Sequence, residues 1–429
     1  MPTRRTRSAV LTGALAASAL VLAGCSGSDA DEGPVVLEYW SWAPNIEQVV
    51  AVWNEANPDI QVEVNTAVAG AEITAKLLAA AEAGNLPDVS NTTYDNLPSL
   101  IINDIAADVS DVMGDREAET AGPAWNLTTF GGVNYAVPQG TSPQMLFYRT
   151  DVFAEHGIEA PTTWDEYAQA ARTIHAADPD TYLATFPAND AQLFAALSQQ
   201  AGAQWWSQSG DAWSVDIAGD ASGQVADYWE GLVDEGVVAT MKTYTPEWQA
   251  ALADGTLVSW LGAVWTPPLI EQNAPETAGL WQAVALPQWT LDAPAAGVMG
   301  GSGTIVTTQS DHPEQAREFA LWLNTSDEAL NAYIEHANIW PAALSGRDLD
   351  GLAEPPSFMA NQPDFYDLAA QIDEYTVEVT WGPNVAAGFD TFNNAFSDAI
   401  ANGTPFRDAL ETVETSVVSD LETLGYTIE

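Results

Sequence analysis

The sequence after residue 34 predicts an α/β protein built on a parallel sheet, and three observations carry that prediction. From Val35 to Thr92 the chain alternates strand, helix, strand, helix, strand, the order that places helices on the faces of a parallel sheet. Apolar residues make up 47% of the 429-residue chain, which excludes a disordered protein and is enough to fill more than one core. Beyond residue 133, strand-like runs broken by Gly and Pro are followed by amphipathic helical runs, so strands and helices continue to alternate before the mainly helical end of the chain.

The elements follow in order. VVLEYW, starting at Val35, reads as a strand. It leads into the aromatic group Tyr39, Trp40 and Trp42, which raises the question of what these rings face, because an exposed Trp is costly. Asn45 to Asn57 reads as a helix with Ile46, Val49, Val50 and Trp53 on one side. Pro58 breaks the chain, and IQVEV resumes it as a strand. AEITAKLLAAAEAG is helical and stops at Gly84, and LPDVSNT is a third strand. VNYAVPQGTSPQMLFYRTDVF holds strand-like runs interrupted at Pro138, Gly140 and Pro143. Thr162 to Ala177 opens on a capping signal and repeats apolar residues at Trp164, Tyr167 and Ala171. PEWQAALADGTLVSWLGAVW gives a helix closed by Gly255 and a strand with Trp260 and Trp265 near its end. GVMGGSGTIVTTQ is a glycine-rich turn into a strand, PEQAREFALWLNTSDEALNAYIEH is helical, and the chain from Asp364 onward is mainly helical. There is no internal repeat and no long linker after Pro34.

The first 24 residues form a secretory signal: Arg4, Arg5 and Arg7 precede an uncharged run from Ser8 to Gly24. That run is short and Ala-rich for a permanent membrane span. Arg4-Arg5 also permits a twin-arginine reading, which the residues after them fit poorly. LAGC, Leu22 to Cys25, resembles the lipobox of bacterial lipoproteins, and the resemblance implies that Cys25 becomes the mature N-terminus and carries a diacylglyceryl group. The bland reading is an incidental or buried thiol. It is weak, because Cys25 is the only cysteine and an exported chain with one Cys forms no internal disulfide. Two acyl chains anchor stably at about 0.8 kcal/mol per buried CH₂. Residues 25–34, the lipidated Cys25 and its small, acidic successors, read as a tether, with a reach of roughly 30 Å after the cysteine.

Charge excludes several partners. The chain has 60 acidic against 11 basic residues, and removing Arg4, Arg5 and Arg7 leaves 8. Nucleic acid and anionic lipid surfaces repel such a chain, and an anionic ligand needs a basic patch that the scattered Lys and Arg do not suggest. Most of the carboxylates read simply as a solvated surface.

Several blocks in this order resemble the extracellular solute-binding proteins of ABC transporters, in the family that carries sugars and oligosaccharides. They are NEANPDIQVEV, AGNLPDVSNT, the long block from VNYAVPQGTSPQMLFYRTDVF to PTTWDEY, GGSGTIVT followed by PEQAREFALWLN, and NIWPA from Asn338 to Ala342. The resemblance covers nearly the whole mature chain. It implies a two-lobed periplasmic-binding-protein-like fold of type II, with the ligand in a cleft between lobes joined by several hinge crossings. Carried onto this sequence, lobe one holds 35–139 and 300–341, and lobe two holds 140–299 and 342–429. Pro138, Gly140, Gly300, Gly301 and Gly303 suit crossings that bend when the lobes close. The implied partners are a sugar or oligosaccharide, the transporter's permease subunits and, through Cys25, membrane lipid. The implied place is the outer face of the bacterial cytoplasmic membrane. The expectation is a monomer with no cofactor and no metal.

Ligands of open α/β sheets sit beyond the carboxyl ends of the strands. Trp40 and Trp42 lie there, so their rings are expected to face the cleft. A flat indole matches the C–H face of a sugar and adds ~0.5–1.5 kcal/mol beyond its area, while the hydroxyl edge needs hydrogen-bonding partners. The competing reading for every Trp is core packing. Trp53, Trp164, Trp229 and Trp322 lie inside helical patterns and are assigned to cores, and Trp248 at a helix start is left open. Trp205 and Trp206 are adjacent, so one can pack while the other is exposed. Trp40, Trp42, Trp265, Trp340 and Trp381 lie at strand ends or turns and are assigned to ligand. The polar candidates are Asn91, Thr92, Tyr94 and Asp95 after the third strand, Gln139 at a crossing, the backbone of Gly301 and Ser302, and Tyr244 before a helix. For these, ordinary loop chemistry is the alternative.

No catalytic motif emerges. The four histidines lack metal-site spacing, and no phosphate loop or Gly-x-Ser-x-Gly elbow is present. The reading is therefore a binding protein and not an enzyme. A glycosidase needs only two carboxylates and is the rival from another class. A polysaccharide-binding adhesin and a binder of another small polar solute are the further alternatives.

Overall fold

A five-stranded sheet organises the first part of the molecule, in the spatial order Ile60–Asn65, Val35–Trp40, Val89–Thr93, Ser302–Val306, Val137–Gly140. The computed structural model describes residues 33–66, 70–210 and 212–429, so the signal peptide, Cys25 and most of the tether lie outside the described residues. The first three strands by sequence run parallel, as their alternation with helices requires. Ser302–Val306 is antiparallel to both of its neighbours, because it is the chain's return from the second sheet and not the end of a βαβ unit. The sheet is thus mixed, where a parallel one was expected.

Strand periodicity sorts the first strand: Leu37 and Tyr39 are fully buried, and Val36 is exposed. Leu37 and Tyr39 pack with Ile46, Val49, Val50 and Trp53 of the helix Ile46–Ala56 and with Phe319 and Leu323 of the helix Pro313–Thr325. Ile73, Leu77, Leu97 and Leu100 form a second core with Ile305. The predicted helix after Pro313 is two helices, because Ser326 leaves the helical path and caps Asp327–Ala337 through its hydroxyl.

The second sheet is antiparallel, in the order Ser259–Ala263, Gln144–Arg149, Trp281–Ala285. Its central strand alternates too: Met145 and Phe147 join one core, Leu146 and Tyr148 the other. The helices around it include Trp164–Ala177, which begins on the Thr163/Glu166 capping box, and Ala191–Gln200. After Asp364 the chain forms three helices and ends in Thr427–Ile428, a two-residue strand paired with Ala212–Trp213 and too short to show a pattern in sequence. Trp205 and Trp206, adjacent residues of which one could have pointed outward, are both buried. Trp205 Nε1 donates to Ser222 Oγ at 2.9 Å, and Trp206 packs against Trp381.

Three segments cross between the two sheets. Gly140 pairs with Pro341 and Pro143 with Val298. A Cβ at Gly140 would lie 2.9 Å from the Trp340 carbonyl oxygen, so this close approach needs glycine.

The charge has a consequence for stability. Seven ion pairs occur among the described residues, most of them half-exposed, against a net charge of −49. Self-repulsion therefore opposes the compact state. Raising NaCl from about 0.01 M to about 0.5 M shortens the screening length several-fold and is expected to raise the Tm. A flat or falling Tm across that series would show that repulsion is not felt.

Candidate functional site

A cavity of about 260 Å³ opens where the loops after the first sheet's strands meet the crossing segments. Its walls include Trp42, Thr93, Gln139, Ser142, Gln192, Trp265, Ser302, Tyr333 and Trp340, and none of the described lining residues is charged.

The first strand delivers Trp42. Past its buried end the chain turns at Ser41, whose hydroxyl donates to Asn91 Oδ1, and the next ring reaches the cavity. Trp40 does not, which corrects its assignment. Strand alternation puts it on the face of Glu38, where its Nε1 donates to Glu38 Oε1 at 2.7 Å. The same rule corrects the third strand: Thr93 lines the cavity, and Thr92 is fully buried away from it.

Beneath the cavity lies an amide network. Gln139 Oε1 accepts from Asn91 Nδ2 at 3.2 Å and from Ser302 Oγ at 2.7 Å, and Gln139 Nε2 donates to the Tyr333 hydroxyl at 2.7 Å. Asn91 Oδ1 also accepts from the Tyr39 hydroxyl. Asn91 is therefore buried support and not cavity wall, whereas Gln139 is both. Burial pushes the Tyr39 and Tyr333 phenols above their ordinary range, so both stay neutral donors at physiological pH.

The glycine turn supplies one rim. Gly300 and Gly301 have φ of 92° and 82°, a region that favours glycine, and both line the cavity with Ser302. Tyr94 is 1% exposed and does not line it; its ring fills the place where a Gly301 side chain would go. Asp95 is also buried. Its Oδ2 accepts from Gln192 Nε2 at 3.2 Å, so it holds a cavity-lining amide that the sequence reading missed. Desolvation raises the Asp95 pKa against the lowering effect of the Thr93 hydroxyl.

Trp265 and Trp340 complete the aromatic walls. Trp265 directly precedes the helix Thr266–Asn273, is half-buried, and donates from Nε1 to Met299 O at 3.4 Å. Trp340 is 3% exposed, and its Nε1 has no acceptor among the described residues. Trp381 is off the cavity: it is core, with its ring 5.7 Å from Phe389 and 6.0 Å from Trp206. A turn position in sequence did not reveal that helices cover it. Tyr244 also lies off the lining. It is 51% exposed at a φ of 63° and rests on Trp248 and Trp260, and Trp260 in turn meets Trp265. Tyr333, like Gln192, gave no signal in sequence, since each sits inside an ordinary helical run.

Residues 39–329 match the family described as bacterial extracellular solute-binding protein. The chain belongs to that family. This solute-binding protein is 24% identical over 422 residues, 90% of each chain, to an arabinooligosaccharide-binding protein of Halalkalibacterium halodurans. An uncharacterized lipoprotein of Streptomyces antibioticus is 31% identical over 178 residues, 38% of this chain and 39% of its own. Among solved structures, the galacto-N-biose-/lacto-N-biose I-binding protein of the ABC transporter from Bifidobacterium longum, in complex with lacto-N-biose, superposes with a TM-score of 0.84. It is 27% identical, and the match covers 93% of this chain and 100% of that one. The fold is accordingly the two-lobed type II binding-protein fold, and the cavity lies where its crossings meet.

Proposed function

We propose that this protein captures a neutral sugar, an oligosaccharide, and delivers it to the permease of an ABC importer. The observation that carries the reading is a cavity with no charged side chain among its described lining residues, walled by Trp42, Trp265 and Trp340 and edged by Thr93, Gln139, Gln192 and Ser302, in a chain of net charge −49. Indole faces suit the C–H faces of a sugar, and amides and hydroxyls suit its edge. The arabinooligosaccharide- and lacto-N-biose-binding relatives support the same ligand class. The lobes divide at 35–139 plus 300–341 and 140–299 plus 342–429, a division supported by the segregation of strands between the two sheets. Ligand favours closure only through contacts made better in the closed form, so both lobes must touch it.

The protein binds without turnover. Two carboxylates reach lining residues through hydrogen bonds: Asp95 holds Gln192, and Asp373 accepts from the Thr141 hydroxyl at 3.2 Å. Among the described residues that line the cavity there is no carboxyl, whereas a glycosidase requires two at the scissile bond. The chain is exported, anchored through lipid on Cys25 and monomeric; the lipobox-like LAGC and the lipoprotein relative support the anchor.

A thermal-shift screen of the soluble form beginning at Ser26 tests the ligand class. Arabino-oligosaccharides, lacto-N-biose and other neutral sugars are the probes, with amino acids and phosphate as charged controls. A sugar at 100 times its Kd stabilises by about 2.7 kcal/mol and raises the Tm. Shifts with the charged controls alone, or cleavage of a bound sugar, would overturn the reading.

A further inference from the structure

Arg347 is one of the few cations in the chain, and it is spent on a site that it does not line. Its side chain is 19% exposed, and NH1 lies 2.6 Å from Asp373 Oδ2, whose own side chain is 7% exposed. The other nitrogens are used as well: Nε donates to Pro341 O at 3.0 Å and NH2 to Thr141 Oγ1 at 3.3 Å. The same guanidinium sits over the Trp340 ring, 5.0 Å from its centroid. Tyr366 lies parallel to that ring within 8°, at 6.0 Å.

Burying an ion pair is expensive, and a pair of well-packed apolar residues often does as well for stability. Stability alone therefore does not account for this one. What the pair does geometrically is specific. It ties the crossing at Thr141 to the crossing at Pro341 and to the helix Phe365–Asp373, and it presses a planar cation onto the indole of Trp340. Each guanidinium nitrogen has a protein partner, and Arg347 does not line the cavity.

We propose that Arg347 and Asp373 form a buried clasp that positions Trp340 as a wall of the cavity, so that ligand affinity depends on an ion pair outside the lining. Both are positioning residues. For affinity, this rests on the sugar reading given above; for ring position, it does not.

Removing one partner leaves a buried charge and risks misfolding, so the test uses the neutral pair Arg347→Met with Asp373→Asn. Calorimetry with the best sugar from the thermal screen reads a double-mutant cycle against Trp340→Ala. The paired change is expected to weaken binding roughly tenfold, the order that loss of a desolvated cation–π contact and of ring order implies. In the Trp340→Ala background it is expected to alter affinity by less than about twofold, because its effect runs through the ring. A purely structural role would give the same loss in both backgrounds and overturns the clasp, as does wild-type affinity in the paired variant. Arg347→Lys keeps the charge without the planar fork and is expected to restore only part of the affinity. A crystal structure of the sugar-free paired variant reads the clasp independently of the ligand class. A Trp340 ring turned out of its alignment with Tyr366 supports the proposal, and an unmoved ring overturns it. Failure of the wild-type protein to bind any sugar, with a turned ring in the variant, removes the sugar reading and leaves the clasp standing.

Discussion

Trp265→Ala weakens oligosaccharide binding by roughly 30- to 700-fold, while Trp381→Ala leaves the affinity of the folded protein near that of the wild type. The two residues were equivalent in sequence, each a Trp near a turn. The structure separates them. Trp265 is half-buried and forms cavity wall, so truncating it removes a large flat contact area of the kind that costs about 2–4 kcal/mol at a binding hot spot. Its loss to the fold is smaller, because one side faces the cavity. Trp381 is 3% exposed within the core formed with Trp206 and Phe389, and its truncation leaves a void costing about 3–5 kcal/mol of stability. Calorimetric Kd values and urea unfolding of both variants check the pair. An unchanged Kd in Trp265→Ala removes that ring from the ligand. A lower affinity in Trp381→Ala with undiminished stability would return Trp381 to the site.

The same contrast shows how far the sequence could be read. The strand and helix order from Val35 to Thr93 follows from local periodicity, and it is present in the structure with its parallel register. The antiparallel return of Ser302–Val306 depends on a crossing that no local pattern encodes. The glycine turn, Gln139, Trp42, Trp265 and Trp340 line the cavity, and each sits at a strand end or crossing, a position that sequence can show and where cavities form. Trp40 and Thr92 stand off the cavity lining for one shared reason. Both belong to strands whose period of two fixes which face a side chain takes, and each stands one face away from the cavity. Trp42 and Thr93 have the right parity or lie just past the strand. Gln192 and Tyr333 could not be found, since a helix position meets the cavity only after its lobe has docked. Asn91, Tyr94 and Asp95 were singled out as contacts, and they surround the cavity as supports: one amide holds Gln139, one ring backs Gly301, one carboxylate holds Gln192. A loop's composition shows that it carries polar chemistry, and packing then decides which residue touches and which positions.

Gly301→Ala is the substitution expected to damage stability and site together. At a φ of 82°, any L side chain costs about 1–2 kcal/mol. Space adds to that cost. A Cβ here would lie 2.7 Å from Tyr94 Cε2 and 3.1 Å from the Gly140 carbonyl oxygen. Tyr94 is 1% exposed and cannot swing aside, so overpacking contributes about 1–3 kcal/mol more. Gly300→Ala is the internal control. Its φ of 92° carries the backbone cost, yet the nearest atoms to its Cβ lie at 3.4 Å, an ordinary contact. Chemical denaturation is therefore expected to show a loss of about 1–2 kcal/mol for Gly300→Ala and about 2–5 kcal/mol for Gly301→Ala, and the difference measures the clash with Tyr94. Equal losses would mean that the ring yields. Relief of the clash must move either Tyr94 or the turn that carries Ser302, whose hydroxyl fixes Gln139 at 2.7 Å. With Tyr94 held by its burial, the turn is expected to move, Gln139 to lose a donor, and sugar affinity to fall in Gly301→Ala by more than in Gly300→Ala.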